Sequence, residues 1–145
     1  MPNYFPPAVA ATVSNVDMLT LLYKLTAADM TLTTDQAFVK IATFNEAILF
    51  FTIGMPKTGK ASVACSGGFY DTAAKGGNAY LAAGSSWLTL DATISPKVSI
   101  VYGSYNAGGA QLSKLVSTGA MFLSLTAGST AACTADIYIY GKIMS

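Results

Sequence analysis

The chain reads as an all-β protein: a single-domain, jelly-roll-like β-sandwich over residues 16–145 behind an extended N-terminal arm, residues 1–15. Three observations predict this. Apolar residues recur with a period of two in short runs, glycine, proline, asparagine and serine punctuate the gaps, and no stretch holds a helical period for long. At 145 residues the chain has the length of one domain. A chain of that size hides roughly 68–70% of its unfolded surface, enough for a real core.

The elements follow in order. Met1–Asn15 is uncharged and aperiodic, with Pro2, Pro6 and Pro7 around Tyr4 and Phe5, so an extended or polyproline-like arm is expected. Such an apolar arm needs a surface to cover it, and a neighbouring subunit is the expectation. Met18–Leu25 alternates, with Leu19, Leu21, Tyr23 and Leu25 on one face and Met18, Thr20, Leu22 and Lys24 on the other. Phe38–Thr43 follows the polar cluster Thr33–Gln36. Ala47–Ile53 is continuously apolar, as in a strand covered on both faces. Ala61–Ser66, Ser86–Ala92, Val98–Tyr102, Met121–Thr126 and Asp136–Ile143 complete about eight strands. In Ser86–Ala92, Leu88, Leu90 and Ala92 oppose Trp87, Thr89 and Asp91. The core faces of the last two are Met121, Leu123 and Leu125, then Ile137 and Ile139, which leaves Tyr138 and Tyr140 on the other side. Turns are expected at Gly54–Gly59, Gly67–Gly68, Gly76–Asn78, Ser95–Pro96, Asn106–Gly109 and Gly128–Ser129. Asp71–Ala83 is alanine-rich, but Gly76 and Gly77 break it as a helix.

Composition excludes several chemistries. Apolar residues make up 52% of the chain and charged ones only 10%, against about 25% charged in an ordinary soluble domain. Eight lysines oppose seven acids, and there is no arginine or histidine. Histidine bases, histidine metal sites and arginine clamps are therefore not available. A net charge of +1 supplies no electrostatic footprint for nucleic acid. Spread over a folded surface of roughly 7,000 Å², the charges fall about one per 470 Å². Sixteen threonines and thirteen serines can coat part of that surface, and the apolar fraction predicts that much of the rest is buried against other subunits.

The N-terminus has neither a basic region nor an apolar run, so no signal peptide is expected. The uncharged stretch Leu115–Ala135 is long enough to span a bilayer, but Ser117, Gly119, Ser124, Gly128 and Ser129 interrupt it, and two strands and a turn explain it better. Cys65 and Cys133 have no CxxC partner, which predicts two small buried thiols and no zinc site.

Three motifs suggest a chemistry that their context does not support. Gly54–Ala61 (GMPKTGKA) has the GxxxxGK spacing of a phosphate loop, but Ala61 stands where a Mg²⁺-ligating hydroxyl belongs and the following residues favour a strand. Asp71-Thr72-Ala73 looks like an aspartic-protease triplet, yet a turn leaving a strand accounts for it. Carboxylate pairs drawn from Asp71, Asp91 and Asp136 have no specific spacing. No catalytic residue, cofactor or metal ligand is expected. Trp87, Tyr102, Tyr105, Tyr138 and Tyr140 carry more weight, because neutral aromatics anchor protein interfaces or stack on sugars.

The stretches Gly67–Asn78 (GGFYDTAAKGGN), Met121–Gly128 (MFLSLTAG) and Thr134–Gly141 (TADIYIYG) resemble small virion proteins of tailed phages. The resemblance runs from about Asp17 to the end and leaves the arm outside it. It implies a capsid decoration (cement) protein, or a related head or tail component, β-rich and oligomeric, with no catalytic residues. The resulting expectation is a homotrimer on the capsid surface, made in the host cytoplasm without a signal peptide. It would bind the major capsid protein and its own copies, and neither nucleic acid nor membrane. Tyr4, Phe5, Pro6 and Pro7 of the arm and Trp87, Tyr138 and Tyr140 of the domain are the expected contact residues. The alternative is a tail or head fibre module that binds host-surface glycans with the same aromatics.

Overall fold

The computed structural model describes residues 19–97, 99–103, 115–117 and 119–144. The arm and its residues Tyr4, Phe5, Pro6 and Pro7 lie outside them. Strands β1 (Thr20–Asp29), β2 (Gln36–Ala37), β3 (Val39–Lys40), β4 (Ala47–Gly59), β5 (Ser66–Thr72), β6 (Gly76–Leu81), β7 (Ile100–Gly103), β8 (Leu115–Val116), β9 (Phe122–Ala127) and β10 (Cys133–Ile143) follow one another, with no helix among the described residues. They form two antiparallel sheets. One has six strands in the order β3-β1-β10-β4-β7, with β8 also paired to β4, and the other has four in the order β2-β9-β5-β6. One hydrophobic core draws on both sheets, the arrangement of a β-sandwich.

The strand β10 is the spine of the larger sheet. Its odd-numbered residues Cys133, Ala135, Ile137 and Ile139 are buried, and Thr134, Asp136, Tyr138 and Tyr140 between them are half-exposed. This is the period-two pattern of a sheet with one covered face. Across the core, β9 presents Leu123 and Leu125, with Met121 just before them, all essentially inaccessible. The expected inward faces of these two strands are thus the observed ones.

Five local expectations are corrected. Gly54–Gly59 is not a turn: β4 runs through it for 13 residues. Pro56 is tolerated because a bulge lies beside it, between the Thr134 and Ala135 pairings, and β7 pairs β4 only up to Gly54. Ala61–Ser66 is not a strand, since Val63 and Ala64 take φ values of 45° and 50° and turn the chain. Gly67 and Gly68 lie inside β5. A side chain at Gly68 would put its Cβ 2.1 Å from the Leu81 carbonyl oxygen, so glycine there permits a close approach of two chains. The β5–β6 turn falls at residues 73–75, before Gly76–Asn78. Finally, the alternation expected of β1 is broken by a bulge between Leu21 and Tyr23, which buries Leu22 and Tyr23 together.

Hydrogen bonds also cross the rim between the sheets. The Gln36 side-chain amide, on β2, accepts from the Asp29 N–H at 2.7 Å and donates to the Asp29 carbonyl at 2.8 Å. A side chain here occupies the place of a strand beside the end of β1. Next to it, Met30 donates its N–H to the Cys133 carbonyl and accepts from the Ser129 N–H.

Candidate interaction surface

Strand pairing fixes which residues share the outward face of the six-stranded sheet, because directly opposed residues point the same way. One rung runs Val39, Lys24, Tyr138, Ile53, Val101, across β3, β1, β10, β4 and β7. The next consists of Leu21, Tyr140 and Phe51. A third holds Lys142, Ile48 and Leu115. On the far side of the first rung Asp136 faces Met55, and beyond them Thr134 faces Thr58. Several of the apolar residues are open to solvent: Val39 at 63%, Val101 at 56%, Leu115 at 54% and Met55 at 51%.

The sequence builds this face through strands that alternate on one side only. β10 contributes its even-numbered residues, and the bulge in β4 adds Phe50, which is also exposed. Tyr140 and Phe51 stack with centroids 5.0 Å apart and planes 22° apart. The Lys24 ammonium sits 5.5 Å from the centre of the Tyr138 ring, a cation–π contact. At the Asp136 end the carboxylate accepts the Ala27 N–H at 2.7 Å and lies 3.8 Å from the Lys57 ammonium. Apart from Lys24, which lies over Tyr138 in the first rung, the middle of the face is aliphatic and aromatic, and the Asp136–Lys57 and Lys142 charges lie toward its ends. With strands about 4.8 Å apart and residues about 3.4 Å apart, the apolar rungs cover on the order of 400 Å². That is within the range of roughly 300–600 Å² for the largest patch on a monomer, the kind that is often functional.

Of the expected contact residues in the domain, Tyr138 and Tyr140 are brought together here, and Trp87 is not. Trp87 is wholly inaccessible: its indole N–H donates to the Gly67 carbonyl at 3.1 Å, and its ring packs at 5.3 Å from Tyr102 and 6.0 Å from Phe69. The expectation that it anchors a partner is corrected, because the hydrogen bond and the flanking rings satisfy it inside the core. The segment around it is not the expected strand either. Leu90 donates its N–H to the Trp87 carbonyl, a turn that buries residues three apart and leaves Leu88 exposed. Tyr102 is buried beside it, its hydroxyl on the Ser86 carbonyl and its acidity suppressed by burial and then by Cys65. Sequence reasoning missed Ile53, Val101, Val39, Met55 and Leu115 as parts of one face. Only pairing across strands distant in sequence assembles them.

The phosphate-loop-like and carboxylate motifs have structural roles in the fold. Gly54–Gly59 is strand, and Lys60 after it lies 3.4 Å from Asp91. Burial raises the Asp71 carboxyl's pKa, but hydrogen bonds from Asn78, Tyr80 and Thr72 outweigh this and hold it below its usual range. Asp71 thereby organises the β5–β6 hairpin. Asp91 is lowered first by Thr93, whose N–H and hydroxyl both donate to it. Cys65 and Cys133 are buried free thiols. No group of three or more potential metal-ligating side chains occurs among the described residues, and no helix there is long and apolar enough to cross a membrane. Comparisons with family models, curated proteins and solved structures found no match.

Proposed function

We propose that this chain is a virion structural protein, a capsid decoration (cement) protein with a jelly-roll-type sandwich, which acts by docking the outward face of its six-stranded sheet onto neighbouring shell subunits. The observation that carries this reading is the rung Val39–Lys24–Tyr138–Ile53–Val101, five strands wide with one charge in it. Leaving such a surface in water forgoes about 25 cal/mol for each Å² of apolar area that a partner would cover. The scarcity of charge, 10% of the chain, lowers the desolvation cost of covering it. The arm, with Tyr4, Phe5, Pro6 and Pro7, extends the contact to an adjacent copy, and the unit is a trimer at local threefold positions of the shell. The major capsid protein is the partner, and no chemistry is performed.

The test is co-sedimentation with shells that lack the protein, alongside sedimentation velocity of the isolated chain. Wild-type chain should associate and bind shells. Ile53→Lys should keep its near-ultraviolet circular dichroism and lose both properties, and deletion of residues 1–7 should leave a folded domain with reduced shell occupancy. A wild-type chain that stays monomeric and ignores shells overturns the reading.

A further inference from the structure

We propose a second site, a pocket beside β9 that binds a single sugar ring or a comparable small neutral polyol. This site is independent of the sheet-face docking, because it lies on the other sheet. β2 pairs with β9 only at Phe122 and Leu123. Past that point the loop at residues 31–35 runs alongside β9, anchored where Ser129 donates its N–H to the Met30 carbonyl. The turn between β5 and β6 closes the other wall, since Ala74 donates its N–H to the Asp35 carboxylate at 2.5 Å. Thr33, Thr34, Asp35, Ala74, Lys75 and Ser124 line the resulting cavity of about 370 Å³.

Ser124 is the reason to read this cavity as a site. It pairs with Gly68 on the face of β9 opposite Leu123 and Leu125, is 1% exposed, and its Oγ has no hydrogen-bond partner among the described residues. Buried hydroxyls are nearly always paired, because an unmade bond leaves the desolvation cost uncompensated. A ligand hydroxyl entering between the two walls would supply the missing bond.

The rest of the lining selects the ligand. Lys75 and Asp35 cancel in charge, so neither an anion nor a cation is favoured. The carboxylate accepts, the ammonium donates, and the three hydroxyls do either. Adjacent hydroxyls of a sugar ring match that set. Five of the six lining residues carry a polar side chain, and Ala74 with the threonine methyls leaves apolar surface for a ring face. The volume is near the lower end of small-molecule pockets, roughly 300–1,000 Å³, and suits one ring better than a chain.

The test is titration of the full chain with methyl glycosides of glucose, galactose, mannose and N-acetylglucosamine, and separately with inorganic phosphate, read by amide chemical shifts. At least one glycoside should move the amides of residues 33–35, 74–75 and 124 saturably, with a Kd in the millimolar range expected of so small a ligand. Ser124→Ala should fold, resist urea at least as well as wild type, and weaken that binding about tenfold. Asp35→Asn, which keeps an acceptor for Ala74, should weaken it too. The proposal is overturned if no glycoside moves those amides, if the shifts are unchanged in Ser124→Ala, or if phosphate saturates the pocket and the glycosides do not.

Discussion

Tyr140 and Phe51 are direct partners across β10 and β4, and their rings stack on the outside of the sheet, 22° from parallel. Such a pair adds about 0.5–1.5 kcal/mol beyond the area it covers. A double-mutant cycle with Tyr140→Ala and Phe51→Ala, followed by urea denaturation, should return a coupling energy in that range. A coupling near zero would mean that the rings are held by their own strands and not by each other.

Trp87 is the only tryptophan and is sealed in the core. Its fluorescence should be blue-shifted, poorly quenched by acrylamide, and unchanged when partners bind. Trp87→Ala should cost about 3–5 kcal/mol by urea denaturation, and Trp87→Phe clearly less. Strong quenching in the native state would place the indole at the surface after all.

Gly68→Ala tests the close approach of β5 to the Leu81–Ala82 backbone. The added methyl would meet a carbonyl oxygen at 2.1 Å, and backbone, unlike a flexible side chain, yields only by moving the strand. A loss of roughly 1–3 kcal/mol, as for overpacked sites, is expected in thermal or urea unfolding. Gly84→Ala, with nothing within 4 Å of the new Cβ, serves as the neutral control.

The thiols define a pH window. Burial first, and then Cys133, pushes the Cys65 thiol from 9.0 up to about 11. The unfolded chain therefore releases this proton at lower pH than the folded one, so stability should decline as pH rises from about 9 to about 11. Urea midpoints measured across that range should fall, and Cys65→Ala should lessen the decline, the remainder coming from Cys133 and the buried tyrosines, which burial also raises. At pH 8 a thiol reagent should label both cysteines only as fast as the protein opens.

Gln36→Ala removes both bonds to the Asp29 backbone, at 2.7 and 2.8 Å. A loss of about 1–3 kcal/mol is expected from urea denaturation, with faster amide exchange concentrated at Asp29 and Met30. Gln36→Glu keeps the acceptor but not the donor and should fall between the two.

How far the sequence speaks for itself differs by element. β9 and β10 were legible because one side of each is covered, so alternation alone names Met121, Leu123, Leu125, Ile137 and Ile139. The segment at 86–92 was not, because a turn, not a pleat, buries Trp87 and Leu90 together, whereas period two sets them on opposite faces and groups Leu90 with the exposed Leu88. Gly54–Gly59 carries strong turn residues, but its pairing with β10 and the adjacent bulge override them. Of the outward face, only Tyr138 and Tyr140 were visible as contact residues. The other members come from β1, β3, β4, β7 and β8 as well as β10, and no local pattern says which of these strands will be neighbours. Ser124 gave no signal at all: a serine among leucines reads as an outward residue, and only tertiary packing shows that it is buried.

The Gln36–Asp29 clasp has a mechanical consequence. Two layers held together by side-chain packing alone can slide over one another under load, since dispersion contacts re-form after each small step. A bidentate polar tie at the rim resists that motion, because any displacement breaks both of its bonds at once. Shear of the six-stranded layer against the four-stranded one is therefore opposed at this rim by two hydrogen bonds as well as by packing.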